Sequence, residues 1–208
     1  MTTKQVTLSE EGFYDLPAGM LATVVTSLEM RVKPTVKKLA PPSETELRLS
    51  RQISADDYRN IYRHVGEDWL WFSRMLMSDA ELTEIIHHEA VDVYQVFVSD
   101  KAEGLLELDY RVEGECEVAF FGLSLAHTGR GLGPWLMTEA IAIAWARPIR
   151  RLWLHTCTFD HPRALAFYQK QGFRPFKQEI ELVCDPRLNG ALQEGAAAHV
   201  PMISGETR

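Results

Sequence analysis

The chain has few cysteines, no long apolar run and no excess of basic residues, and each absence excludes a class of protein. Its three cysteines, Cys116, Cys157 and Cys184, are too few and too scattered for a disulfide framework or a zinc site. No stretch approaches the ~18 apolar residues of a membrane span, and the N-terminus lacks the apolar core of a secretory signal. We therefore expect reduced thiols, no metal, no membrane partner and a cytoplasmic location.

Positive charge is also scarce, because 22 Lys and Arg residues face 29 Asp and Glu residues, for a net charge of −7. Unspecific nucleic-acid binding needs a basic surface, so no nucleic-acid partner is expected. The acidic balance mildly favours a cationic small molecule as a ligand.

The order of apolar patterns predicts an α+β fold in which helices flank a mixed central sheet of about six or seven strands. Residues 1–45 are interpreted as an N-terminal extension with a possible extra strand, residues 46–185 as the main domain, and residues 186–208 as a loose tail. Within the main domain we expect a strand, two helices, an antiparallel meander, a glycine turn with a helix, a strand, a helix and two final strands. The predicted ranges for these elements are 47–53, 54–66, 78–88, 91–98, 104–112, 115–125, 134–146, 151–156, 162–171, 173–176 and 179–184.

A glycine turn is the most informative feature of the chain. A predicted strand ending at Leu125 leads into Gly129, Gly131 and Gly133, and an apolar helix follows. Alternate glycines let backbone N–H groups converge on one point, and the helix adds its dipole and its unpaired first-turn donors. With the charge of Arg130, the turn favours a diphosphate, although three glycines can also serve only to make a sharp turn. A P-loop is excluded, since Pro134 and Trp135 follow the last glycine, and a dinucleotide fingerprint fits poorly.

A second motif follows about 30 residues later. Residues 161–173 predict a short helix that carries Tyr168 on one face and ends before Gly172. Packing in the core is the alternative role for this tyrosine.

The two motifs together resemble those of the GNAT superfamily of N-acetyltransferases. The turn from Thr128 to Gly133 is similar to the family's acetyl-coenzyme A loop, Gln/Arg-x-x-Gly-x-Gly/Ala. Residues 161–173 are similar to its Asn-x-x-Ala-x-x-Phe/Leu-Tyr-x-x-x-Gly-Phe motif. The resemblance covers about residues 47–184. It implies the GNAT fold, with the sheet splayed between its fourth and fifth core strands, and an enzyme that transfers an acetyl group from acetyl-coenzyme A to a primary amine of a small molecule or protein in a ternary complex.

The resemblance also implies roles for individual residues. Tyr168 matches the usual general acid, and the backbone of Leu123 and Leu125 would bind the pantetheine arm, with the Leu123 N–H polarising the thioester carbonyl. The residues expected to contact the cofactor are Leu123, Ser124, Leu125, Thr128, Gly129, Arg130, Gly131, Leu132, Gly133, His161 and Ala164.

Three positions depart from the family pattern. Thr128 replaces Gln or Arg, His161 replaces Asn, and Pro134 removes a backbone donor just after the loop. The Thr128 and Pro134 departures motivate a second hypothesis, in which the chain is a non-catalytic acyl-coenzyme A sensor or scaffold, although the retained Tyr168 speaks against it.

The acceptor amine needs a base, because a lysine-like ammonium is neutral in fewer than about one molecule in a thousand at pH 7. Glu117 is the first candidate, since many relatives place an acid on this strand, and His155 is the second. Each can instead be an ordinary strand residue. Trp69, Trp71 and Phe72 are expected either to wall the acceptor site or to pack in the core. A homodimer built through residues 1–45 is a further possibility.

Overall fold

The structure is a computed structural model that describes residues 10–35 and 39–205. Within these residues the chain forms seven strands and four α-helices, besides three short 3₁₀ turns. The strands are β1 Met20–Met30, β2 Thr45–Leu49, β3 Val91–Val98, β4 Lys101–Asp109, β5 Glu115–Leu123, β6 Arg151–Cys157 and β7 Arg174–Cys184. The helices are α1 Ala55–Gly66, α2 Asp79–Ile86, α3 Leu132–Ala144 and α4 Ala164–Lys170.

All seven strands belong to one mixed sheet with the order β2-β3-β4-β5-β6-β1-β7. Every neighbouring pair is antiparallel except β5 and β6, which are parallel. The predicted α+β class and mixed sheet are therefore confirmed. The one parallel pair is also the place where the predicted splay occurs.

The N-terminal strand β1 lies inside the sheet. It pairs along its length with β7 on one side and with β6 on the other. The residues of β1 are therefore mostly buried or half-buried. Strand β7 lies at the edge of the sheet and is exposed. The predicted extension thus contributes an internal strand, while residues 1–9 and 36–38 lie outside the described part of the chain.

Helices cover both faces of the sheet, and each face has its own apolar core. Helices α3 and α4 pack on one face, where the core includes Leu28, Leu154 and Leu136. Helices α1 and α2 pack on the other face against β3 and β4, with a core that includes Tyr58 and Leu82. The two faces of the sheet are therefore packed by two separate sets of apolar side chains.

Helix α1 begins and packs as its sequence predicts. The side chain of Ser54 accepts a hydrogen bond from the Asp57 N–H, and two acidic residues in the first turn complement the helix dipole. Close approach to β5 depends on Gly122, because a Cβ at this position would lie 2.5 Å from Val65 and 2.9 Å from Trp71. Trp71 is consequently packed between α1 and the sheet.

Several boundaries differ from the predicted ones. Helix α3 begins at Leu132, two residues earlier than expected. Pro134 therefore occupies the third helical position, where a backbone N–H would have no hydrogen-bond partner within the helix. Strand β5 ends at Leu123, because the chain then enters a 3₁₀ turn at Leu125–His127. The two final strands are one continuous strand, β7, because each of its halves pairs with β1.

The tail after β7, expected to be loose, packs in part against the sheet. The buried ion pair between Arg187 and Asp185 measures 2.7 Å, and Arg187 also donates hydrogen bonds to the carbonyls of Ala196 and Val200. These contacts hold Leu192 in a third apolar cluster beside β1.

Candidate active site

Strands β5 and β6 pair over only three residues and then separate. Glu115 to Glu117 lie opposite Arg151 to Trp153, and beyond this point β5 continues to Leu123 and β6 to Cys157 without a ladder between them. A bulge in β5 helps to turn it away, because Ala119 has no register partner on β4. The divergence leaves a wedge-shaped gap between two strands in the middle of the sheet.

The backbone of Leu123 faces this gap. The next residue, Ser124, donates its N–H to the carbonyl of Glu103 on β4, at 2.8 Å. Because the backbone groups of successive strand residues point to opposite sides, the N–H and C=O of Leu123 point away from β4. Leu125 differs, since it lies in the 3₁₀ turn and its carbonyl accepts the Thr128 N–H at 3.2 Å. Of the two backbone polar groups of Leu125, the N–H therefore lacks a partner among the described residues, and the carbonyl has one.

The glycine loop after this turn has the geometry of an anion site. Gly129 and Gly131 have φ values of 78° and 86°, and a Cβ built on either would meet no atom within 4 Å. In the described part of the chain, no N–H of residues 129–131 donates to a protein acceptor. Leu132 and Gly133 open α3, where N–H groups have no helical partner. With the exposed Arg130 side chain, these donors form a nest at a helix N-terminus.

Two predicted cofactor ligands instead use their side chains to hold the turn. The Ser124 hydroxyl is buried and donates to Glu103 at 2.6 Å, and the Thr128 hydroxyl donates to the Ser124 carbonyl at 3.2 Å. Glu103 also lies 2.9 Å from Nε2 of His64 on α1. Sequence reasoning missed Glu103 and His64, because no local pattern indicates that α1 and β4 meet at this turn.

Glu117 and His155 form a pair on the face of the sheet that carries α1 and α2. Glu117 Oε1 lies 3.4 Å from His155 Nδ1. The alternation of β6 puts His155 on this face, because Leu154 and Leu152 are buried on the other. The hydrogen bond with Glu117 raises the pKa of His155 above its ordinary value, against the opposing effect of burial. The two base candidates are thus adjacent side chains.

Tyr168 approaches the gap from the opposite face. Its ring packs against Phe121 of β5 and against Phe173, and its exposed fraction is 9%. Among the described residues its hydroxyl has no hydrogen-bond partner. Burial, and then the negative charge of Asp160, raise the pKa of this phenol far above its ordinary value, so it keeps its proton at neutral pH.

Asp160 joins the end of β6 to the aromatic residues near α1. Its carboxylate accepts hydrogen bonds from the Thr156 hydroxyl at 2.7 Å, the Cys157 N–H at 2.9 Å and Trp71 Nε1 at 3.4 Å. Its charge also contributes to the raised pKa values of His155 and Tyr168. This residue was missed in the sequence, where only its position before the second motif hinted at a role.

The three predicted wall aromatics have different environments. Trp71 packs against Tyr62 and Phe120 and is largely a core residue. Trp69 is half-buried, and its ring contacts His161 at a centroid distance of 5.2 Å and His199 of the C-terminal tail at 5.8 Å. Trp69 therefore packs against the start of the second motif and the C-terminal tail.

Phe72 packs in the core, and the start of the second motif forms a turn. Phe72 packs against the cluster beside β1. His161 caps the turn before α4, because its Nδ1 accepts the Arg163 N–H at 3.1 Å and its carbonyl accepts the Ala164 N–H at 2.7 Å. The structure thus uses both His161 and Ala164 to fix the entry to α4.

This arrangement matches a known family. Residues 58–173 match the family model described as "Acetyltransferase (GNAT) family", and the match spans more than half of the chain. The chain belongs to the GNAT family. Both sequence motifs and the Glu117–His155 pair fall within the matched residues.

Solved structures of GNAT proteins have the same fold at low sequence identity. A GCN5-related N-acetyltransferase from Sphaerobacter thermophilus aligns with a TM-score of 0.56 and 12% identity, covering 77% of this chain and 50% of that one. A GCN5-related N-acetyltransferase from Kribbella flavida aligns with a TM-score of 0.53 and 17% identity, covering 83% and 63%. A putative GNAT acetyltransferase from Novosphingobium aromaticivorans gives 0.52 and 16%, covering 83% and 70%.

Several of these proteins are longer than this GNAT chain, which spans 50% to 63% of the first four. No curated protein matches the sequence. In the part of the chain that the structure describes, no helix is long and apolar enough to cross a membrane. The same residues hold no group of three or more His, Cys, Asp or Glu side chains placed to bind a metal ion.

Proposed function

We propose that this GNAT protein is an N-acetyltransferase that transfers the acetyl group of acetyl-coenzyme A to a primary amine within a ternary complex. The observation that carries the proposal is the gap between β5 and β6. The Glu117–His155 pair borders this gap on one face of the sheet, and Tyr168 approaches it from the other. Such an arrangement has a proton acceptor and a proton donor on opposite sides of one reaction centre.

The residues of the glycine loop fit the cofactor that the family uses. Side chains at Gly129 and Gly131 would occupy the space in front of the loop, where the structure has no protein atom within 4 Å of the Cβ positions. The free N–H groups of residues 129–131 and the charge of Arg130 suit a diphosphate. Acetyl-coenzyme A supplies the acetyl group as a thioester, and the unpaired backbone of Leu123 is the natural partner for the chain that carries it.

On the acceptor side, Glu117 and His155 have to remove a proton from an ammonium. An amine with a pKa of ~10.4 arrives protonated at neutral pH, and His155 in contact with a carboxylate can accept that proton and share its charge. The nearby charge of Asp160 and the net charge of −7 favour a cationic acceptor. We therefore propose a primary amine that is cationic in solution, with Trp69 at the border of its binding site.

On the other side, Tyr168 holds a proton for the leaving group. The raised pKa keeps this phenol protonated, so its O–H can donate a hydrogen bond to the sulfur and stabilise the thiolate as the bond to the acetyl group breaks; a thiol has a pKa of only ~8.5, so complete transfer of the proton from the phenol is uphill. No rearrangement of the hydroxyl is needed first, because no described residue competes for it.

The test is a thiol-release assay with acetyl-coenzyme A and a panel of amines that includes diamines, polyamines and lysine-containing peptides. We expect release of free thiol that depends on the amine and exceeds the rate without acceptor, and mass spectrometry should find the acetylated amine. If the cofactor binds but no amine is acetylated, the protein is a non-catalytic acyl-coenzyme A sensor, and the proposal is wrong.

A further inference from the structure

Glu103 on β4 is the point where helix α1 and the turn before the glycine loop meet. Its Oε2 accepts the Ser124 hydroxyl at 2.6 Å and lies 2.9 Å from His64 Nε2. His127 Nδ1 is 3.4 Å from the same oxygen. The carbonyl of Glu103 also accepts the Ser124 N–H at 2.8 Å. Glu103 thus holds Ser124 through both its backbone and its side chain.

Ser124 in turn holds the backbone on both sides of the proposed cofactor contact, Leu123 before it and the glycine loop after it. Its carbonyl accepts the His127 N–H at 3.0 Å and the Thr128 hydroxyl at 3.2 Å, which sets the direction in which the chain enters the glycine loop. Because the backbone N–H of Ser124 points toward β4, the backbone groups of its neighbour Leu123 point into the gap. A shift of Ser124 would therefore move the Leu123 backbone and the loop N–H groups together.

The environment of Glu103 suits a fixed, charged anchor. Its side chain is 14% exposed, and Ser124 is 2% exposed. Burial raises the pKa of Glu103, but the hydrogen bonds with His64 and Ser124 outweigh this effect and lower it below the ordinary value. The carboxylate therefore stays ionised at neutral pH, where its hydrogen bonds are charge-assisted.

We infer that Glu103 is a positioning residue for the cofactor, acting through Ser124 to orient the Leu123 backbone and the glycine loop. It does not touch the reacting atoms. The inference rests on the proposed function, because it assumes that this loop binds acetyl-coenzyme A. It adds a connection from helix α1, through His64, to the cofactor loop.

The test compares Glu103→Gln, Ser124→Ala and the double variant with the wild type. We expect each single variant to raise the acetyl-coenzyme A Kd in calorimetry, and its KM in steady-state assays, by about tenfold. The KM for the amine should change by less than about twofold, and kcat at saturating cofactor should fall by less than the Kd rises. Because Glu103 acts through Ser124, the Kd of the double variant should be no higher than that of the single variant with the higher Kd.

Glu46→Gln is the matched control, since this exposed carboxylate pairs with Arg48 on the edge strand β2, which β3 separates from β4. Its Kd should equal that of the wild type. Ser124→Ala keeps the charge of Glu103, so it tests the inference even if Glu103→Gln lowers the melting temperature.

The outcomes separate the inference from the proposed function. If the wild type does not bind acetyl-coenzyme A, the proposed function fails. If the wild type binds it and both single variants bind equally well, or if they lower kcat with an unchanged Kd, only the inference is overturned. Losses of binding free energy that add in the double variant would also contradict the inference.

Discussion

Glu117 Oε1 and His155 Nδ1 lie 3.4 Å apart at the point where β5 and β6 stop pairing. The sequence separates these residues by a helix and a glycine loop, and the parallel strands bring them together. The divergence of the strands beyond this pair leaves room for a substrate. A single feature of the sheet therefore brings together the two residues proposed as the base and opens the space beside them.

Glu117→Gln should shift the acid limb of the pH–rate profile to lower pH and reduce the plateau. Glu117 raises the pKa of His155, so the neutral, proton-accepting histidine forms only as the pH rises through that raised value. Without the carboxylate this pKa falls, and the base is also weaker. We expect the plateau of kcat/KM to drop by about 10²-fold, as measured between pH 5.5 and 9.

Glu181→Gln is the control for this profile, because the charge of Glu181 raises the pKa of His155 less than Glu117 does. It should leave the plateau unchanged. An acid limb that stays in place in Glu117→Gln would show that His155 and Glu117 do not titrate as a pair in catalysis.

Tyr168→Phe should reduce turnover at least about tenfold with little effect on folding. The substitution removes only a hydroxyl that has no partner among the described residues, while the ring contacts with Phe121 and Phe173 remain. Tyr110→Phe removes a hydroxyl from another tyrosine of the same core and should leave turnover unchanged. Steady-state rates and thermal melts of both variants are the measurements. Equal rates for the wild type and Tyr168→Phe would remove the phenol from the mechanism.

Much of the local structure follows from the sequence. Ser54 with its acidic first turn marks the start of α1, and the turn at Ser99 and Asp100, both with positive φ, separates β3 from β4 where the sequence predicts a break. The glycine loop and the Tyr168 helix follow from motifs of short range. Local propensity is decisive in these places because the elements are amphipathic and their ends carry specific turn residues.

Contacts between residues far apart in the sequence cannot be predicted in the same way. The placement of β1 between β6 and β7 depends on pairing between residues about 120 to 165 positions apart, which no local pattern encodes. The contact of Glu103 with His64 and that of Asp160 with Trp71 are of the same kind. In each case a polar side chain acquires its role only when the sheet assembles.

Arg74→Met should destabilise the protein by about 3–5 kcal/mol. Arg74 lies 2.5 Å from the fully buried Glu107, whose carboxylate also accepts the Tyr58 hydroxyl. Removing the guanidinium leaves a buried carboxylate without its countercharge. Arg48→Met breaks the exposed pair with Glu46 instead and should cost less than about 1 kcal/mol. Urea denaturation gives both values, and equal losses would contradict a buried ionic interaction at Arg74.

The central claim is that the glycine loop binds acetyl-coenzyme A, and calorimetric titration of the wild type, Gly131→Ala and Gly190→Ala tests it most directly. Both glycines have positive φ, 86° and 77°, and open space at the Cβ position, so the two variants carry a similar backbone strain of roughly 1–2 kcal/mol. We predict tight binding by the wild type and by Gly190→Ala, and a Kd raised about tenfold or more in Gly131→Ala alone. Absence of binding heat in the folded wild type, or equal Kd values for the two variants, would contradict the account.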